Sequence, residues 1–497
     1  MVHRTEELNP MIRKPEAIAR RHSAGARAPH LGVVVLACAA LCLGANARAQ
    51  DATKVPATTV IRGGWLFDGV RDDVRRNRGI VMVGGKLLEV DAVPNARDLE
   101  GANVITLGDN DYILPGLFDL HAHYNVNVMG KHRRDETTVQ PVIWLANGVT
   151  TTFPAGEYNP EDMTALRIRI ENGVQNGPRL YDSGPYYGRV RAGWNPEMTP
   201  AEVYADVDYW FGQGVRDFKA KGIGPVQLRA LIERAHWHGC TVTGHLDSGY
   251  NGSVNPKDAI LMGIDRIEHF MGGDALVPTQ SAYASYDHLD VNTPQVRDII
   301  QLYLSHHVYF DPTMTAYGYG ADHEGDPAFA YWTDEKRFFT PFVDSVVAAK
   351  PKRPPNAQFN KIYHNKPKEL KAFYDAGGGS LITLGTDYPS TGEYLPGFSV
   401  HREIFAMHRA GIPAAAVLKI ATINSARAIG VGNFLGSIEP GKFADLIVVR
   451  GNPLQDITNT HNVQLVIKGG TSYDPKALFK SVEGKLGPKN AEEAVKW

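Results

Sequence analysis

Residues 113–123 are ILPGLFDLHAH, an apolar run that ends on two histidines, His121 and His123. A short apolar run bounded by turn residues is typical of a buried strand. Side chains two residues apart on a strand point to the same face. Both imidazoles can therefore reach one metal ion, for which histidine is the commonest protein ligand. The segment predicts the first strand of a fold with chemistry at the strand end.

Outward from this strand, residues 112–429 alternate apolar strand-like runs with helical stretches. The later strand candidates are GVTTTFPAG, RLYDSGP, VRDFKAK, TVTGHL, RIEHF, VYFDPTM and LITLGTDY. Helical patterns such as VQLRALIERAHWHG and TPQVRDIIQLYLSHH fall between most of them. This alternation predicts an α/β fold with a parallel sheet, and eight strands fit a closed TIM-like (β/α)₈ barrel. A doubly wound open sheet is the alternative, but no G-x-G-x-x-G follows the first strand.

The two ends of the chain have a different sequence pattern from the middle. Residues 55–106 alternate short β-rich runs with glycine turns, and FADLIVVRGNP and VQLVIKGG repeat this pattern near the C-terminus. We therefore predict four segments: a leader at 1–49, short strands at 50–111, the barrel at 112–430, and further short strands with a tail at 431–497.

The predicted leader has the three parts of a secretory signal peptide. Basic residues precede an apolar run, Leu31–Ala45, and Ala47-Arg48-Ala49 follows as a cleavage site. The run is shorter than the ~20 residues of a membrane span, although an uncleaved anchor is the alternative. We expect a periplasmic or secreted protein with no membrane partner beyond the export machinery. The formal net charge of −2, with 21% charged residues, argues against nucleic acid as a partner.

The remaining strand candidates also end on residues that can bind metal. Chemistry in a (β/α)₈ barrel lies at these C-terminal strand ends. Lys219 ends the fourth strand candidate, with Lys221 as the alternative two residues on. Imidazole and carboxylate suit Zn²⁺ or a similar ion. The candidate metal ligands are His121, His123, Lys219, His245, His269 and Asp387.

The ordered motifs LPGLFDLHAH, GVTTTF, GVRDFK, TGH, RIEHF and LGTDYP, followed by ATINSARAIG and LGSIEPGKFADLIVV, resemble the amidohydrolase superfamily. Within it, the chain is most similar to the prolidase and imidazolonepropionase-like branch. The resemblance implies a small β-sandwich, built from the N- and C-terminal segments, beside the barrel. Binuclear members carry a strand-four lysine in a G-A-D-x-I-K setting. Gly214–Lys219 matches that spacing, with Arg216 at the acidic position, and this favours Lys219 over Lys221.

The resemblance also implies the roles of these residues. His121, His123 and Asp387 would hold one divalent ion, and His245 and His269 a second. Zinc is the first candidate for both, and a carboxylated Lys219 would bridge them. Asp387 would move the proton while metal-activated hydroxide cleaves the bond.

The expected activity is hydrolysis of an amide or peptide bond in a small molecule. An N-acyl amino acid or a dipeptide would suit a rim of aromatic and arginine side chains, for which the candidates are Tyr124, Tyr186, Tyr187, Arg189 and Arg191. The alternatives are a mononuclear cyclic-amide hydrolase or deaminase, and a non-catalytic binding scaffold. A homo-oligomer is compatible with the resemblance, because many relatives assemble through their barrel helices.

Overall fold

A computed structural model describes residues 58–130, 133–330, 334–351, 354–388 and 394–497. All of them belong to one unit, Pro56–Trp497. The predicted leader, residues 1–49, lies outside the described residues. Within them, no helix combines the length and the apolar character that crossing a membrane requires.

The strands fall into three groups along the chain. The first group is β1 (Thr58–Leu66), β2 (Arg75–Arg76), β3 (Ile80–Val83), β4 (Lys86–Val90) and β5 (Asn103–Pro115). The second is β6 (Leu117–Ala122), β7 (Asn125–Val126), β8 (Arg134–Asp135), β9 (Val149–Pro154), β10 (Arg179–Leu180), β11 (Tyr186–Tyr187), β12 (Asp217–Lys221), β13 (Thr241–His245), β14 (Arg266–Glu268) and β15 (Tyr309–Asp311). The third is β16 (Leu446–Arg450), β17 (Val463–Lys468) and β18 (Thr471–Tyr473).

Helices separate most strands of the second group. The α-helices are α1 (Ala96–Leu99), α2 (Gln140–Ala146), α3 (Pro160–Glu171), α4 (Pro200–Gly212), α5 (Pro225–Trp237), α6 (Pro256–Met262), α7 (Ala282–Tyr286), α8 (Pro294–His306), α9 (Pro327–Ala330), α10 (Pro341–Ala349), α11 (Ala357–Asp375), α12 (Phe398–Arg409), α13 (Ala414–Lys419), α14 (Ser425–Ala428) and α15 (Pro475–Val482). Many begin with proline at the first turn, where its missing N–H costs nothing. The predicted helices at 226–239 and 293–307 correspond to α5 and α8.

The two ends of the chain share one eight-stranded sheet. Its order is β18-β17-β16-β5-β1-β3-β4, and β2 pairs with β1. Strand β5 runs parallel to β1 and antiparallel to β16, so it joins the N-terminal strands to the C-terminal ones. This pairing explains why the two ends of the chain share a pattern of short β-rich runs and glycine turns. The further expectation of a β-sandwich stays a prediction.

The predicted first strand, ILPGLFDLHAH, is in fact two strands. Strand β5 ends at Pro115 in the terminal sheet, and β6 begins at Leu117 in a parallel sheet. Gly116 lies at the crossing, where a Cβ atom would overlap the Thr150 side chain. Proline cannot donate to a strand ladder, so the chain leaves the first sheet there.

The central strands pair in parallel, apart from the short β7 and β8, which form a separate antiparallel pair. One sheet has the order β10-β9-β6 and another β11-β12-β13-β14-β15. Single parallel bridges join Glu157 to Pro185, Phe310 to Ile382, and Ala122 to Tyr388. Strands that alternate with helices in this way make the fold mixed α/β.

The eighth predicted strand, LITLGTDY, is irregular over residues 383–387, between single bridge residues at Ile382 and Tyr388. Two of its backbone N–H groups donate to side chains instead of a neighbouring strand: that of Leu384 to Ser425 Oγ at 3.1 Å, and that of Thr386 to Asp119 Oδ1 at 3.1 Å. The segment still lies between β15 and β6, because Leu384 accepts a 2.9 Å hydrogen bond from the Leu120 N–H. The predicted position is therefore confirmed and the predicted strand geometry is wrong.

Strand β12 shows how the fold positions a polar side chain. It spans Asp217–Lys221, so Lys219 lies at its centre and Lys221, not Lys219, closes it. Neighbouring strand residues face opposite sides. Phe218 and Ala220 join the main hydrophobic cluster, and Lys219 faces the other side.

Candidate metal centre

The two histidines of the first strand converge on one aspartate. His121 Nε2 and His123 Nε2 lie 3.3 and 2.8 Å from Asp387 Oδ1. His121 and His123 are 2% and 3% exposed, so both rings are withdrawn from water. The Asp387 N–H donates a 2.9 Å hydrogen bond to the His121 carbonyl, which fixes the two strand ends relative to each other. The structure thus brings these three predicted residues together.

Two more histidines complete the same cluster. His245 is the last residue of β13, and His269 directly follows β14. Their rings are 4.1 Å apart, and the His269 ring is 4.8 Å from that of His121. His269 Nε2 lies 3.8 Å from Asp387 Oδ2. Imidazoles therefore lie near both carboxylate oxygens of Asp387, with His121 and His123 at Oδ1 and His269 at Oδ2.

Lys219 lies beside these groups in the interior of the fold. Its side chain is 1% exposed, and its Nζ contacts Oε2 of Glu268, which is also fully buried. The same Glu268 oxygen lies 3.4 Å from His121 Nδ1. Glu268 is thus the link between Lys219 and the histidines, and all six predicted residues belong to one constellation.

The orientation of His269 is set by a threonine. Thr313 Oγ1 donates to the Pro312 carbonyl at 2.8 Å and lies 2.6 Å from His269 Nδ1. Because the Thr313 hydroxyl donates its proton to the Pro312 carbonyl, its oxygen accepts a hydrogen bond from the Nδ1–H of His269. Nε2 is then left with its lone pair facing Asp387, which is the tautomer that binds metal.

Three residues at the strand ends have left-handed backbone conformations. The φ angles are 67° for His269, 44° for Thr313 and 49° for Asp387. Such conformations are uncommon outside glycine, and most of all for a β-branched residue such as threonine. Their coincidence in one cluster is typical of a functional site.

Several buried polar atoms in the cluster have no hydrogen-bond partner among the described residues. They include Nδ1 of His123, Nδ1 of His245 and Nε2 of His269. Ligand atoms of His121, His269 and Asp387 all lie within 4.8 Å of one another. Buried polar groups are nearly always satisfied, so these atoms fit a site that binds a metal. Imidazole nitrogen and carboxylate oxygen are the donors that zinc prefers.

The electrostatics of the cluster favour neutral imidazoles and an ionised aspartate. Burial, followed by the charge of Lys219, holds the pKa of His121 well below its usual value. Burial is also the main cause of the low pKa of Lys219. Burial opposes ionisation of Asp387, but His121 and His123 overcome it and hold its pKa well below the ordinary value. These are the protonation states that metal binding requires.

The five residues of the predicted rim have different surroundings in the structure. Tyr186 and Tyr187 were expected in a loop, but they form β11 and are buried beside β12. The Tyr124 hydroxyl pairs with Thr152 Oγ1 at 2.8 Å inside the protein, and Arg191 is ion-paired with Asp206 at 2.7 Å. Arg189 alone of the five lines a cavity of about 200 Å³ beside His245.

An aromatic wall adjoins the second pair of histidines. The Tyr283 hydroxyl lies 3.4 Å from His245 Nε2, and the Tyr317 ring is 6.0 Å from that of His269. Phe270 packs between them, with ring centres 5.0 Å from Tyr283 and 5.8 Å from Tyr317. Sequence reasoning missed this wall, because Tyr283 belongs to α7 and its two partners belong to separate connecting segments.

Comparison with known proteins decides the family. The model of the amidohydrolase family matches residues 112–472. The chain belongs to the amidohydrolase family. Members of this family generally use divalent metal ions.

Curated relatives match only over part of their length. A 5-methylthioadenosine/S-adenosylhomocysteine deaminase of Teredinibacter turnerae is 38% identical over 90 residues, which cover 17% of this chain and 20% of that protein. An uncharacterized protein of Mycobacterium tuberculosis is 28% identical over 222 residues, covering 38% of this chain and 56% of that protein. The matches therefore span less than two thirds of these relatives.

Solved structures share the fold over much more of the chain. A Xaa-Pro dipeptidase with methionine bound in its active site has a TM-score of 0.63 and 24% identity, covering 84% of this chain and 100% of that one. Molinate hydrolase has a TM-score of 0.62 and 20% identity, covering 88% and 99%. At such identities the likeness shows the fold alone.

Proposed function

We propose that this amidohydrolase is a binuclear, exported enzyme that cleaves the amide or peptide bond of an N-acyl amino acid or a dipeptide. The observation that carries the proposal is the convergence of all six predicted ligands in one cluster, in which Lys219, His121, His123 and His269 are buried. A xenobiotic amide or carbamate is a further substrate class that the same chemistry would accept. Export rests on the predicted leader alone.

We also propose that the central strands close into a (β/α)₈ barrel. The three single bridges support it, because they join the two parallel sheets to each other and to the irregular segment at 382–388. Closure would place every predicted ligand at the same end of the barrel, where such enzymes carry their chemistry.

Carboxylation of Lys219 would reconcile its burial with metal binding. An uncharged amine can react with CO₂ to give a carbamate and release one proton, and burial already holds the pKa of Lys219 low. The carbamate would supply anionic oxygen between His121 and the His245–His269 pair. In this proposal His121, His123 and Asp387 hold one divalent ion, and His245 and His269 the other. Zinc is the first candidate for both.

When bound, the two ions would polarise the scissile carbonyl and supply hydroxide at neutral pH. The chain's own residues do the rest. Asp387 is 24% exposed at its side chain, so it is the ligand best placed to exchange a proton with a substrate. It would accept the proton of the attacking hydroxide and deliver it to the leaving nitrogen. Thr313 keeps His269 in its metal-binding tautomer throughout.

A mononuclear deaminase or cyclic-amide hydrolase is the second candidate. Two observations favour it: the compact triad of His121, His269 and Asp387, and the deaminase names of two curated relatives. In that case Glu268 would simply neutralise Lys219, and no carbamate would be needed.

Substrate profiling tests the proposal. Zinc-loaded protein should hydrolyse members of a panel of N-acyl amino acids and dipeptides, and Asp387→Asn should not. Chelation should abolish the activity and zinc should restore it. Ammonia release from heterocyclic amines, with no hydrolysis of the panel, would replace the proposal with the deaminase alternative.

A further inference from the structure

A cavity of about 200 Å³ opens next to the candidate metal centre. It lies on the side of His245, and the loops after β11, β12 and β13 form its walls. The lining residues that matter here are Arg189, Lys221, His245, Asp247 and Ser253. Pockets for drug-sized ligands measure roughly 300–1,000 Å³. This cavity therefore suits one portion of a small substrate, about the size of an amino acid.

Lys221 places a positive charge at the inner end of this cavity. It is the last residue of β12, and it faces the same side as Lys219 because the two are two residues apart. Its Nζ lies 5.9 Å from the centre of the Tyr186 ring. No carboxylate within the described part of the chain lies at ion-pair distance from Lys221, and Asp387 acts on it only from longer range.

A second cation stands at the mouth of the cavity. Arg189 is exposed, and its described hydrogen bond is a long one of 3.5 Å to the Asn251 carbonyl. The neighbouring Arg191 contrasts with it, since both of its terminal nitrogens are engaged by Asp206 at 2.7 and 3.0 Å. Arg189 and Lys221 thus remain available to a ligand.

Asp247, the acid in the cavity wall, forms no ion pair with Arg189 or Lys221 within the described part of the chain. Asp247 Oδ1 accepts hydrogen bonds from the backbone N–H groups of Ser248 and Ala282, which hold the loop in place. A partly buried lysine without an acidic partner is costly. The cost is offset when the substrate itself brings an anion, as in charge-assisted recognition of carboxylates.

We propose that this cavity is the subsite for a substrate carboxylate, with Lys221 as the ion-pairing residue and Arg189 as a second cation at its mouth. The inference rests on the proposed function and narrows it. The substrate is an amide whose amino-acid portion carries a free carboxylate, and that carboxylate lies on the His245 side of the metal centre. Lys221 is a specificity-determining residue, whereas Lys219 serves the metal.

Calorimetric titration of the zinc-loaded protein tests the subsite without requiring turnover. The probes are N-acetyl derivatives of leucine, phenylalanine and proline, each paired with its neutral carboxamide. We expect the wild type to bind at least one acid about 10- to 100-fold more tightly than its carboxamide, because a hydrogen bond to a charged group contributes that much. Lys221→Met should abolish the difference while keeping the metal content.

Two further variants sharpen the result. Arg191→Gln is the matched control, since it removes a nearby cation that is already paired, and it should keep the preference for the acid. Arg189→Met changes an exposed side chain that folding does not require, and it should weaken the preference about two- to fivefold. An acid preference that Lys221→Met and Arg189→Met both retain would overturn the proposal, as would equal binding of acids and carboxamides by the wild type.

Failure of the subsite and failure of the hydrolase proposal have different signatures. Hydrolysis of acids and carboxamides with equal efficiency would overturn the subsite and leave the hydrolase proposal standing. Acid-selective binding that depends on Lys221, without hydrolysis of any amide in the panel, would support the subsite and refute the hydrolase proposal.

Discussion

Replacing Thr313 by valine would test how the protein holds His269. The substitution keeps the shape of the side chain and its β-branching, so the backbone strain at φ 44° is unchanged. It removes the oxygen that lies 2.6 Å from His269 Nδ1. The imidazole then has no fixed tautomer, and a buried ring nitrogen loses its partner.

The size of the effect follows from what is lost. Removing a hydrogen-bond partner of a metal-binding histidine typically weakens metal affinity by ~10- to 100-fold. At ~1.36 kcal/mol for each factor of ten, this is ~1.4–2.7 kcal/mol. The free energy of unfolding of the metal-free protein should fall by ~1–3 kcal/mol, because the Nδ1 proton is left buried and unpaired.

Chelator competition with zinc measures the affinity directly. Thr383→Val is the matched control, since Thr383 is fully buried but its hydroxyl has no partner among the described residues. It should bind zinc as the wild type does. Thr313→Ser, which restores the oxygen, should recover most of the affinity. Wild-type affinity in Thr313→Val would refute the assignment of Thr313 as the residue that orients His269.

Three other expectations concern groups in and around the site. Asp387→Asn should lower kcat/KM by ~10²- to 10⁴-fold, the usual contribution of a proton-transfer group, with an unchanged circular dichroism spectrum; near-normal activity would contradict its role. Burial raises the pKa of Glu403 to about 8, so its protonated form stabilises the fold below about pH 4.5 and this contribution is lost as the pH rises through 8. Urea unfolding of the metal-free protein should therefore show that the free energy of unfolding falls more steeply with rising pH in the wild type than in Glu403→Gln. An equal dependence on pH in the two proteins would count against the raised pKa of Glu403. Lys366 lies 3.5 Å from Glu369 with both side chains buried, so Lys366→Met should cost ~3–5 kcal/mol by leaving the buried acid without its cation. Adding Glu369→Gln should recover most of this stability, and a double variant as unstable as the single one would disprove the coupling.

The sequence predicted which side chains lie close together better than it predicted the strands that carry them. Histidine and aspartate after apolar runs can be recognised in the sequence alone. His121 and Asp387 meet because neighbouring parallel segments align their carboxyl ends. The irregular eighth segment was not predictable, because its backbone N–H groups bond to Asp119 and Ser425 from distant parts of the chain.

The residues that contact the candidate ligands could not be predicted from the sequence either. Glu268 precedes His269 in RIEH and could have been suspected, but its contact with Lys219 depends on the register of three strands, β12, β13 and β14. Thr313 follows β15 and Tyr283 lies in α7, and no sequence motif indicates that either side chain supports a ligand. The roles proposed for Lys219 and Lys221 differ because Lys219 lies within β12 and Lys221 closes it. Strand patterns do not resolve a difference of two residues.

The central claim is that Lys219 links two metal ions, and metal content per chain tests it most directly. Wild type and Lys219→Ala would be purified with zinc and bicarbonate and analysed by elemental mass spectrometry. The account predicts two ions per chain in the wild type and one or none in the variant. One ion in both proteins would contradict it and favour the mononuclear alternative, and two ions in both would remove Lys219 from the site.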